Sequence, residues 1–551
     1  MARVQRLNNG CALEALESRM LLSITAVAVA DASVTGGTTA FSTASSTASE
    51  SVGRSQQMDA KHRQQFTDAD GDLVTVSLSG LGTAILVFGS DGSADVSQMD
   101  ISGTNASSKV TITVVRKALF STGRTTMGRI TVTDGSLGSL VGSAVDLTGD
   151  VSVFGTLGTL TLGNLAFGRH TIETRTGGAG DAKAQLTMKL GQVVNTVVDT
   201  HGEPIKAISA VVWTNFGGMN DTITAPWLGQ LTTTVGAFGA NLVLDGNQGG
   251  GTQVAPKTLL TKATIKGDLQ SGQWDVAGAV GSIAVGGAIS DWSLGTWGAP
   301  VTSLTGLTAG QVTHGRLFVD HAIGSVKAIS WGDGQIDAGS LSKLTITGRS
   351  ASRTVQAVSG DFGADIALTR SGLVKATGAT LGSASISGNL DANRWTIVGD
   401  MGGLTVGRTA GGAVDSPLTI MASGSMASLT LGAASHANFW AGMNNLQGEI
   451  GHAVSGQTVF YNIAAAIKRV TIKGWKVTPA QTFFEDSNFS APTIGTSSLL
   501  NVAADPQASF GFWAKSLATL SRKDTTISPA KTYKSTSDLF AMDGLNIIPL
   551  A

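Results

Sequence analysis

The 551-residue chain is poor in charge, in aromatic residues and in cysteine. Charged residues make up 14 % of it and aromatic residues 5 %, whereas glycine alone occupies 72 positions. A chain with few charges and many small and β-branched residues favours sheets over helical bundles. Its length is sufficient for a large core and for two or more domains. We therefore expect an all-β protein.

The few cysteines and the balanced charge each exclude a class of function. The single cysteine, Cys11, leaves no disulfide framework and no thiolate metal site within the chain. The 37 Lys and Arg residues face 38 acidic residues, and a net charge of −1 supplies no field that attracts phosphate backbones or anionic membranes. We therefore predict no nucleic-acid partner. No apolar run is long enough to cross a bilayer, so we predict no transmembrane span.

Residues 1–30 are interpreted as an export signal. Arginines precede the apolar run from Met20 to Ala30, which has the length of a secretory h-region, and Ala28 to Ala30 offers a small-residue cleavage site. The alternative is a short buried strand, because the charged part is long and contains two glutamates.

The stretch LEALESRMLLS, from Leu13 to Ser23, resembles the LEPRxLL motif near the N-termini of large secreted or surface proteins of environmental bacteria. Ala15 and Ser18 depart from the residues usual in that motif, and Met20 precedes the leucine pair. The resemblance covers only this short stretch. It implies an envelope or extracellular location and implies nothing about activity.

Two different segments follow the predicted signal. Residues 31–64 are rich in Ser, Thr, Ala and Gly, and they bury too little apolar surface to offset their ordering entropy, so we expect a disordered linker. From Phe66 onward the chain contains the alternating stretches LVTVSLSG, AILVFGS, KVTITVV and RITVTDG between turn residues. They predict a small antiparallel β module over residues 65–135, and this piece resembles a strand module of the same surface proteins.

A strand phrase that ends in glycine then recurs along the chain. LSKLTITG begins at residue 341, LGSASISG follows 40 positions later at 381, and MGGLTVG another 20 later at 401. A strand-turn unit repeated at about 20 residues predicts a parallel β-helix over residues 140–475, a β-solenoid in which stacking supplies the core. The glycine-rich phrases also resemble the β-solenoid tracts of those bacterial surface proteins. Residues 476–551 are predicted to form terminal coils and a C-terminal cap or tail.

A longer period lies above the strand phrase. VKAIS at residues 326–330 nearly repeats IKAIS at residues 205–209, and Trp274 and Trp395 share the same offset of 121 positions. With a unit of about 20 residues, this offset predicts the duplication of a six-rung block.

One motif suggests a cofactor. DADGD places Asp68, Asp70 and Asp72 at alternate positions, as an oxygen-ligand loop for Ca²⁺ requires. An EF-hand loop needs Gly at its sixth position and Glu at its twelfth, where this chain has Leu73 and Ser79. The alternative interpretation is a polar turn that opens the next strand.

A catalytic set is not predicted. Polysaccharide lyases and glycosidases also occur on β-helices, and glycosidases act through paired carboxylates. The chain has seven glutamates, of which only Glu173, Glu203 and Glu449 fall within the predicted solenoid. The aspartates there lie among turns, where Asp is expected for its local hydrogen bonding. These residues are Asp291, Asp320, Asp333, Asp361, Asp365 and Asp391.

Neither the histidines nor the tryptophans form a recognisable site. The seven histidines show no HExxH spacing, and we expect them in solvated turns. The ten tryptophans would stack on sugar rings if they were exposed along one sheet. The equivalent positions of Trp274 and Trp395 in the repeat favour packing in the core instead.

The sequence as a whole favours an exported, surface-associated structural or adhesive protein without catalytic activity. Its partners would be cell-envelope components, glycans or other copies of surface proteins. The alternatives are a carbohydrate-active enzyme on the same scaffold and a Ca²⁺-stabilised surface binding module. An enzyme requires two carboxylates that converge within about 10 Å on one groove, whereas aspartates scattered among turns favour the structural hypothesis.

Overall fold

A computed structural model describes most of the chain beyond residue 53. The chain divides into two units, Met1–Ser51 and Val52–Ala551, and every described residue belongs to the second. The predicted export signal, the LEPRxLL-like stretch and the linker before residue 54 lie outside the described residues. The structure describes residues 54–89, 94–117, 119–166, 168–175, 184–216, 221–247, 255–371, 378–442, 460–475, 481–503, 510–525, 531–533 and 545–549.

The described residues form β-strands joined by turns and contain no helix. The first ten strands are β1 (Ser55–Asp59), β2 (Gln64–Thr67), β3 (Leu73–Ser79), β4 (Thr83–Phe88), β5 (Val96–Ser102), β6 (Lys109–Val115), β7 (Thr125–Val132), β8 (Leu137–Gly142), β9 (Val145–Leu147) and β10 (Val151–Val153). The next ten are β11 (Leu157–Leu162), β12 (His170–Thr174), β13 (Leu186–Val194), β14 (Thr196–Asp199), β15 (Ile205–Thr214), β16 (Thr222–Ala225), β17 (Leu228–Thr233), β18 (Asn241–Leu244), β19 (Thr258–Ile265) and β20 (Leu269–Val276). Ten more are β21 (Ala279–Val285), β22 (Ile289–Leu294), β23 (Ser303–Thr308), β24 (Gln311–Thr313), β25 (Gly315–Ala328), β26 (Ser330–Trp331), β27 (Gly334–Ile346), β28 (Asp365–Leu368), β29 (Leu381–Ile386) and β30 (Arg394–Ile397). The last are β31 (Met401–Gly411), β32 (Leu418–Ala422), β33 (Met426–Ser435), β34 (Ala437–Ala441), β35 (Ala466–Ile472), β36 (Phe484–Glu485), β37 (Asn488–Leu500), β38 (Phe510–Asp524), β39 (Lys531–Tyr533) and β40 (Leu545–Pro549).

The alternation of apolar and small polar residues explains these strands. In β27 the side chains of Leu344 and Ile346 are buried, and Thr345 between them faces the outside. Successive side chains of a strand point to opposite faces, so this pattern buries one face of each strand and leaves the other exposed. The predicted all-β fold is confirmed.

The first strands pair mainly in the antiparallel sense. β1 pairs with β4, β2 with β3, β3 with β6, and β4 with β5. Their core contains Phe66 and Phe88, whose rings meet edge to face with centroids 5.0 Å apart. From this group, β5 and β6 continue into parallel pairs with β7 and β8. The antiparallel strands therefore lie against the beginning of the parallel ladders.

Two strands in this region differ from the predictions. β1 falls inside the predicted 31–64 linker, yet it pairs along its length with β4 and buries Met58. Backbone hydrogen bonds to a neighbouring strand edge and one buried side chain hold a segment whose composition alone favours disorder. β7, which was assigned to the antiparallel module, makes parallel pairs with β5, β9 and β10.

Parallel strand pairs then continue through most of the described chain in two long columns. The first column runs through β6, β8, β11, β13, β15, β17, β19, β21, β23, β25, β27, β29, β31, β33, β35, β37 and β38. The second runs through β5, β7, β10, β12, β14, β16, β18, β20, β22, β25, β27, β28, β30, β32, β34, β37, β38 and β40.

A third, narrower column consists largely of single bridges. Buried side chains stack along it in the order Leu165, Val193, Trp213, Phe238, Leu269, Ile289, Val312, Trp331, Phe362, Leu390, Ala410, Ala434, Phe484 and Val502. Each passage of the chain thus contributes to several columns, and the apolar side chains between the columns form one continuous core.

The pairing register corrects the interpretation of the 121-residue offset. Five successive parallel strand pairs connect Trp274 to Trp395. The register partners between them are Leu294, Leu317, Ile336 and Ile366. If one passage of the chain through the columns is called a layer, a block therefore contains five layers rather than six. The predicted unit of about 20 residues is too uniform, because Val326 pairs with Leu344, 18 positions later, and Leu429 with Val470, 41 positions later.

The same register separates the two pentapeptides. Five steps from Ile208 along the first column end at Val326, and five steps from Ile205 end at Ile323. IKAIS and VKAIS therefore lie in the same column but are displaced by three residues. Insertions in the turns between strands absorb such shifts without breaking the ladder.

The strands after residue 476 extend the columns. β37 and β38 pair in parallel along both the first and the second column, and Phe489 lies opposite Phe512. β40 adds a further parallel strand to β38, whereas β39 pairs with it in the antiparallel sense. No helix in the described ranges is long and apolar enough to cross a membrane.

Candidate functional site

The turn between β2 and β3 brings together the three aspartates of the DADGD motif. The turn is closed by hydrogen bonds from the Gly71 N–H to the Asp68 carbonyl (3.2 Å) and from the Asp68 N–H to the Asp72 carbonyl (3.0 Å). Gly71 has φ +93°, which a side chain disfavours. One carboxylate oxygen from each of Asp68, Asp70 and Asp72 lies within 4.8 Å of the other two.

The loop that follows β6 folds over this acidic turn. The N–H and hydroxyl groups of Thr122 donate to Asp70 Oδ2 at 2.8 and 2.7 Å. The N–H groups of Gly123 and Lys117 donate to the two oxygens of Asp72 at 2.6 and 3.2 Å. These hydrogen bonds fix two of the three carboxylates, so the cluster is held by tertiary contacts and does not depend on the turn alone.

Asp68 is the third carboxylate, and it is 5 % exposed. Its Oδ1 accepts the Asp72 N–H at 2.8 Å, whereas its buried Oδ2 has no hydrogen-bond partner among the described residues. The pKa of Asp68 is raised to about 6, first by burial and then by the neighbouring Asp70 carboxyl group. The Thr122 N–H, followed by the neighbouring Asp68 carboxyl group, holds the pKa of Asp70 below its usual range.

The geometry suits one oxygen-liganded cation. Ca²⁺ binds oxygens at 2.3–2.6 Å, so two ligands of the same ion lie at most about 5 Å apart. The spacing of the three carboxylates meets this limit. The absence of an EF-hand also has a structural reason, since Leu73 and Ser79 are the first and last residues of β3. A straight strand cannot wrap around an ion, so β3 cannot supply the remaining ligands of an EF-hand loop.

The prediction that the aspartates lie in turns is wrong for Asp291, Asp320 and Asp365, which lie within β22, β25 and β28. Asp361 accepts the Asn389 N–H at 2.7 Å, and Asp365 accepts the Arg394 N–H at 2.8 Å, so these two carboxylates satisfy backbone groups of a neighbouring layer. Asp391 has its pKa raised to about 6, first by burial and then by the charge of Asp361. The other three pair with histidines: Asp291 and Asp333 with His314 at 3.3 and 3.2 Å, and Asp320 with His321 at 2.9 Å.

The described glutamates of the predicted solenoid have separate partners. Glu173 lies 2.9 Å from both Arg175 Nε and His201 Nε2, and the Arg175 guanidinium holds the pKa of Glu173 below its usual range. Glu203 is 1 % exposed and accepts the Leu157 N–H at 3.1 Å. Burial raises the pKa of Glu203 to about 7. Glu449 lies outside the described residues.

The histidines do not all occupy solvated turns. His170 is fully buried in β12, where its Nδ1 lies 2.8 Å from the Gly149 carbonyl oxygen and its Nε2 has no partner among the described residues. The prediction of a turn position is wrong for this residue, because it pairs with Thr196 inside the second column. His201 and His314 do lie at corners with positive φ.

The tryptophans confirm core packing with one clear exception. Trp213, Trp274, Trp292, Trp331 and Trp395 are fully buried, whereas Trp297 is 78 % exposed. The 121-residue repeat does not signal this difference, because the buried Trp292 and the exposed Trp297 are both matched by other residues, Ala413 and Leu418.

Sequence reasoning also missed the loop that covers the acidic turn. Thr122 and Gly123 lie about fifty positions from Asp70 and Asp72, as their hydrogen bonds show. A local motif carries no signal for such distant donors. No known family matches the chain, and comparisons with curated proteins and with solved structures give no significant match.

Proposed function

We propose that the chain is a parallel β-helix that acts as an exported structural or adhesive protein of the cell surface. The observation that carries this proposal is the continuous core, in which three columns of stacked side chains extend through successive layers. In a protein of this kind each layer buries its apolar face only against its neighbours. The outer faces of the strands and the turns between them therefore form an extended surface that is exposed to solvent.

The polar residues support the same function. The carboxylates of Asp361 and Asp365 accept hydrogen bonds from backbone N–H groups of other layers. The LEPRxLL-like stretch supports export. Cell-envelope components, glycans and other copies of surface proteins remain the proposed partners of the exposed faces.

Export and catalysis are tested on the full chain. We expect a bacterial host to export the full chain and to retain a variant that lacks residues 1–30, measured by fractionation and by protease accessibility on intact cells. Equal retention of both chains contradicts the proposal. The enzyme alternative predicts new reducing ends or unsaturated products from a panel of polysaccharides, and their appearance would replace the structural function.

A second proposal, that Ca²⁺ stabilises the chain, is favoured by the acidic turn. The observation is the buried Asp68 Oδ2, which has no partner in the described part of the chain and lies in a cluster of three carboxylates. A cation would neutralise this cluster and would be bound by the otherwise unpaired Asp68 Oδ2. Extracellular Ca²⁺ sites have dissociation constants of about 10⁻⁴ to 10⁻³ M, so about 10 mM Ca²⁺ would add about 1 to 3 kcal/mol to the free energy of unfolding.

The test compares unfolding in Ca²⁺, in Mg²⁺ and in EDTA. We expect Ca²⁺ to raise the melting temperature of the full chain and expect Asp70→Asn to abolish the increase. Asp245→Asn is the matched control, because Asp245 is also an exposed aspartate between strands and accepts the local Asn247 N–H at 2.8 Å. An unchanged melting temperature in Ca²⁺, or an equal loss in both variants, contradicts the site.

A further inference from the structure

The exposed tryptophan lies on a closed hairpin turn beside the second column. Trp297 is 78 % exposed. Thr296 and Ala299, which flank it, exchange backbone hydrogen bonds of 3.1 and 3.2 Å, and the Thr296 hydroxyl accepts the Ala299 N–H at 3.1 Å. The Val301 N–H then donates to the Phe318 carbonyl at 3.0 Å. The hairpin is therefore fixed to the neighbouring strand, and the indole ring is held in solvent.

A cavity of about 140 Å³ lies between this hairpin and the outer faces of β25 and β27. Its apolar lining includes Trp297, Pro300 and Phe318. Its polar lining includes Asp337 and Thr369, and Asp320 lies at the same cavity. Pockets that bury a whole drug-sized ligand measure about 300–1,000 Å³, so this one has room for a single ring.

One carboxylate oxygen of Asp337 accepts no hydrogen bond from the described residues. Phe318, Asp337 and Ala367 are register partners, which places their side chains next to one another on the outer face. Asp337 Oδ2 accepts the Gln335 amide at 2.8 Å. Asp337 Oδ1 is shielded from solvent and has no hydrogen-bond partner among the described residues. An acceptor left in this state costs free energy unless a ligand donates to it.

We propose that this pocket binds one ring of a neutral sugar chain, with the apolar face of the ring stacked on Trp297 and a hydroxyl group donating to the Asp337 carboxylate. The site identifies a ligand class for the adhesive function and rests on that proposed function. A sugar ring has an apolar face and a rim of hydroxyl donors, and the pocket is lined by the exposed Trp297 ring, the Asp337 side chain and Thr369.

A cationic side chain is the competing ligand for an aromatic ring beside carboxylates. The charge distribution favours the sugar. Asp320 already has a polar neighbour, since its Oδ2 lies 2.9 Å from His321 Nδ1. Trp297 is the one strongly exposed ring of the cavity, whereas cages for cations surround the charge with several rings.

The test measures binding of the full chain to cellohexaose, xylohexaose, mannohexaose, laminarihexaose and chitohexaose by titration calorimetry, with a lysine hexapeptide as the cationic probe. We expect at least one hexasaccharide to bind. Trp297→Ala should weaken that binding about tenfold or more, and Trp297→Phe should retain part of it. Tyr461→Ala is the matched control, because Tyr461 is 70 % exposed and lies outside the cavity.

Asp337→Ala separates binding from folding. It removes an unpaired acceptor, so the urea midpoint of unfolding should stay the same or rise while sugar affinity falls about tenfold. Several results overturn the inference: no hexasaccharide binds, the variants bind as the wild type does, or the lysine peptide binds and loses affinity in Trp297→Ala. Export and chain stability are measured separately, so failure here leaves the structural function intact.

Discussion

The repeated tryptophans allow a paired stability prediction. Trp274 and Trp395 are both fully buried, and each donates its indole N–H to an alanine carbonyl at 3.3 Å. Trp274 packs between two rings, Phe238 at 6.0 Å and Trp292 at 5.3 Å. Trp395 packs on one ring, Phe362 at 5.8 Å, and its next partner in the column is Ile420.

The expected magnitudes follow from these contacts. Replacing a buried tryptophan by alanine costs about 3 to 5 kcal/mol of unfolding free energy through lost burial and the cavity that remains. This cost is similar for the two sites and cancels in their difference. Each aromatic pair adds about 0.5 to 1.5 kcal/mol, so Trp274→Ala should destabilise by about 1 kcal/mol more than Trp395→Ala.

The assay must resolve local unfolding, because layers of a stacked protein lose structure with their neighbours and not always with the whole chain. Hydrogen exchange followed by mass spectrometry on β18, β20 and β22, compared with β28, β30 and β32, measures each region separately. Urea unfolding monitored by circular dichroism gives the global value. Equal losses at the two sites, or a larger loss for Trp395→Ala, would refute the contribution assigned to the extra ring.

Two further predictions concern a buried aliphatic residue and a buried acid. Ile386→Asp should cost at least about 4 kcal/mol and increase hydrogen exchange in several layers, because Ile386 is 1 % exposed and an unpaired charge replaces it. Ser385→Asp, on the outer face of the same strand, should change stability little, and a similar loss in both contradicts the assignment of faces. For Glu203 the folded-state pKa of about 7 exceeds the ordinary 4.5, so the folded protein binds the proton more tightly. The stability that protonated Glu203 contributes, up to about 3 kcal/mol, is therefore full below pH 4.5 and is lost as the pH rises through 7. In urea unfolding measured over this pH range, the wild type should lose stability relative to Glu203→Gln. Parallel curves of unfolding free energy against pH for the two proteins would contradict the prediction.

The predicted strands agree with the structure wherever alternation is strong. LSKLTITG and LGSASISG correspond to the ends of β27 and to β29, with Leu344 and Ile386 buried. The alternation is local, since it needs only successive residues on opposite sides of one strand. Burial of the paired tryptophans was also predictable, because equal positions in a repeat share one environment.

The number of layers was not predictable from the same repeat. Spacing near 20 residues led to six layers per block, whereas turns of unequal length allow five. The pentapeptide match misled for a related reason, since Ile205 corresponds to Ile323 and not to Val326. Turn insertions cost little free energy, so the chain can change spacing while the ladder keeps its register.

The candidate sites were likewise predictable only in the parts that depend on neighbouring residues in the sequence. The aspartates of the DADGD motif were visible as a local pattern, but the donors that hold Asp70 and Asp72 come from the 117–123 loop. The Trp297 pocket combines a hairpin with two strands that lie further along the chain. The 121-residue repeat did not reveal it, because the buried Trp292 also fails to repeat at that offset.

The sequence by itself determined the strand content, the inward and outward faces and the acidic turn, because each depends on residues within a few positions of one another. Only the tertiary structure decided which strands pair, how many layers separate the repeats and which tryptophan faces solvent. Those properties depend on contacts between residues 18 to 52 positions apart, whose spacing is set by turns of variable length. The local periodicity of the sequence does not predict the spacing between paired strands. Hydrogen bonding and burial between layers determine it.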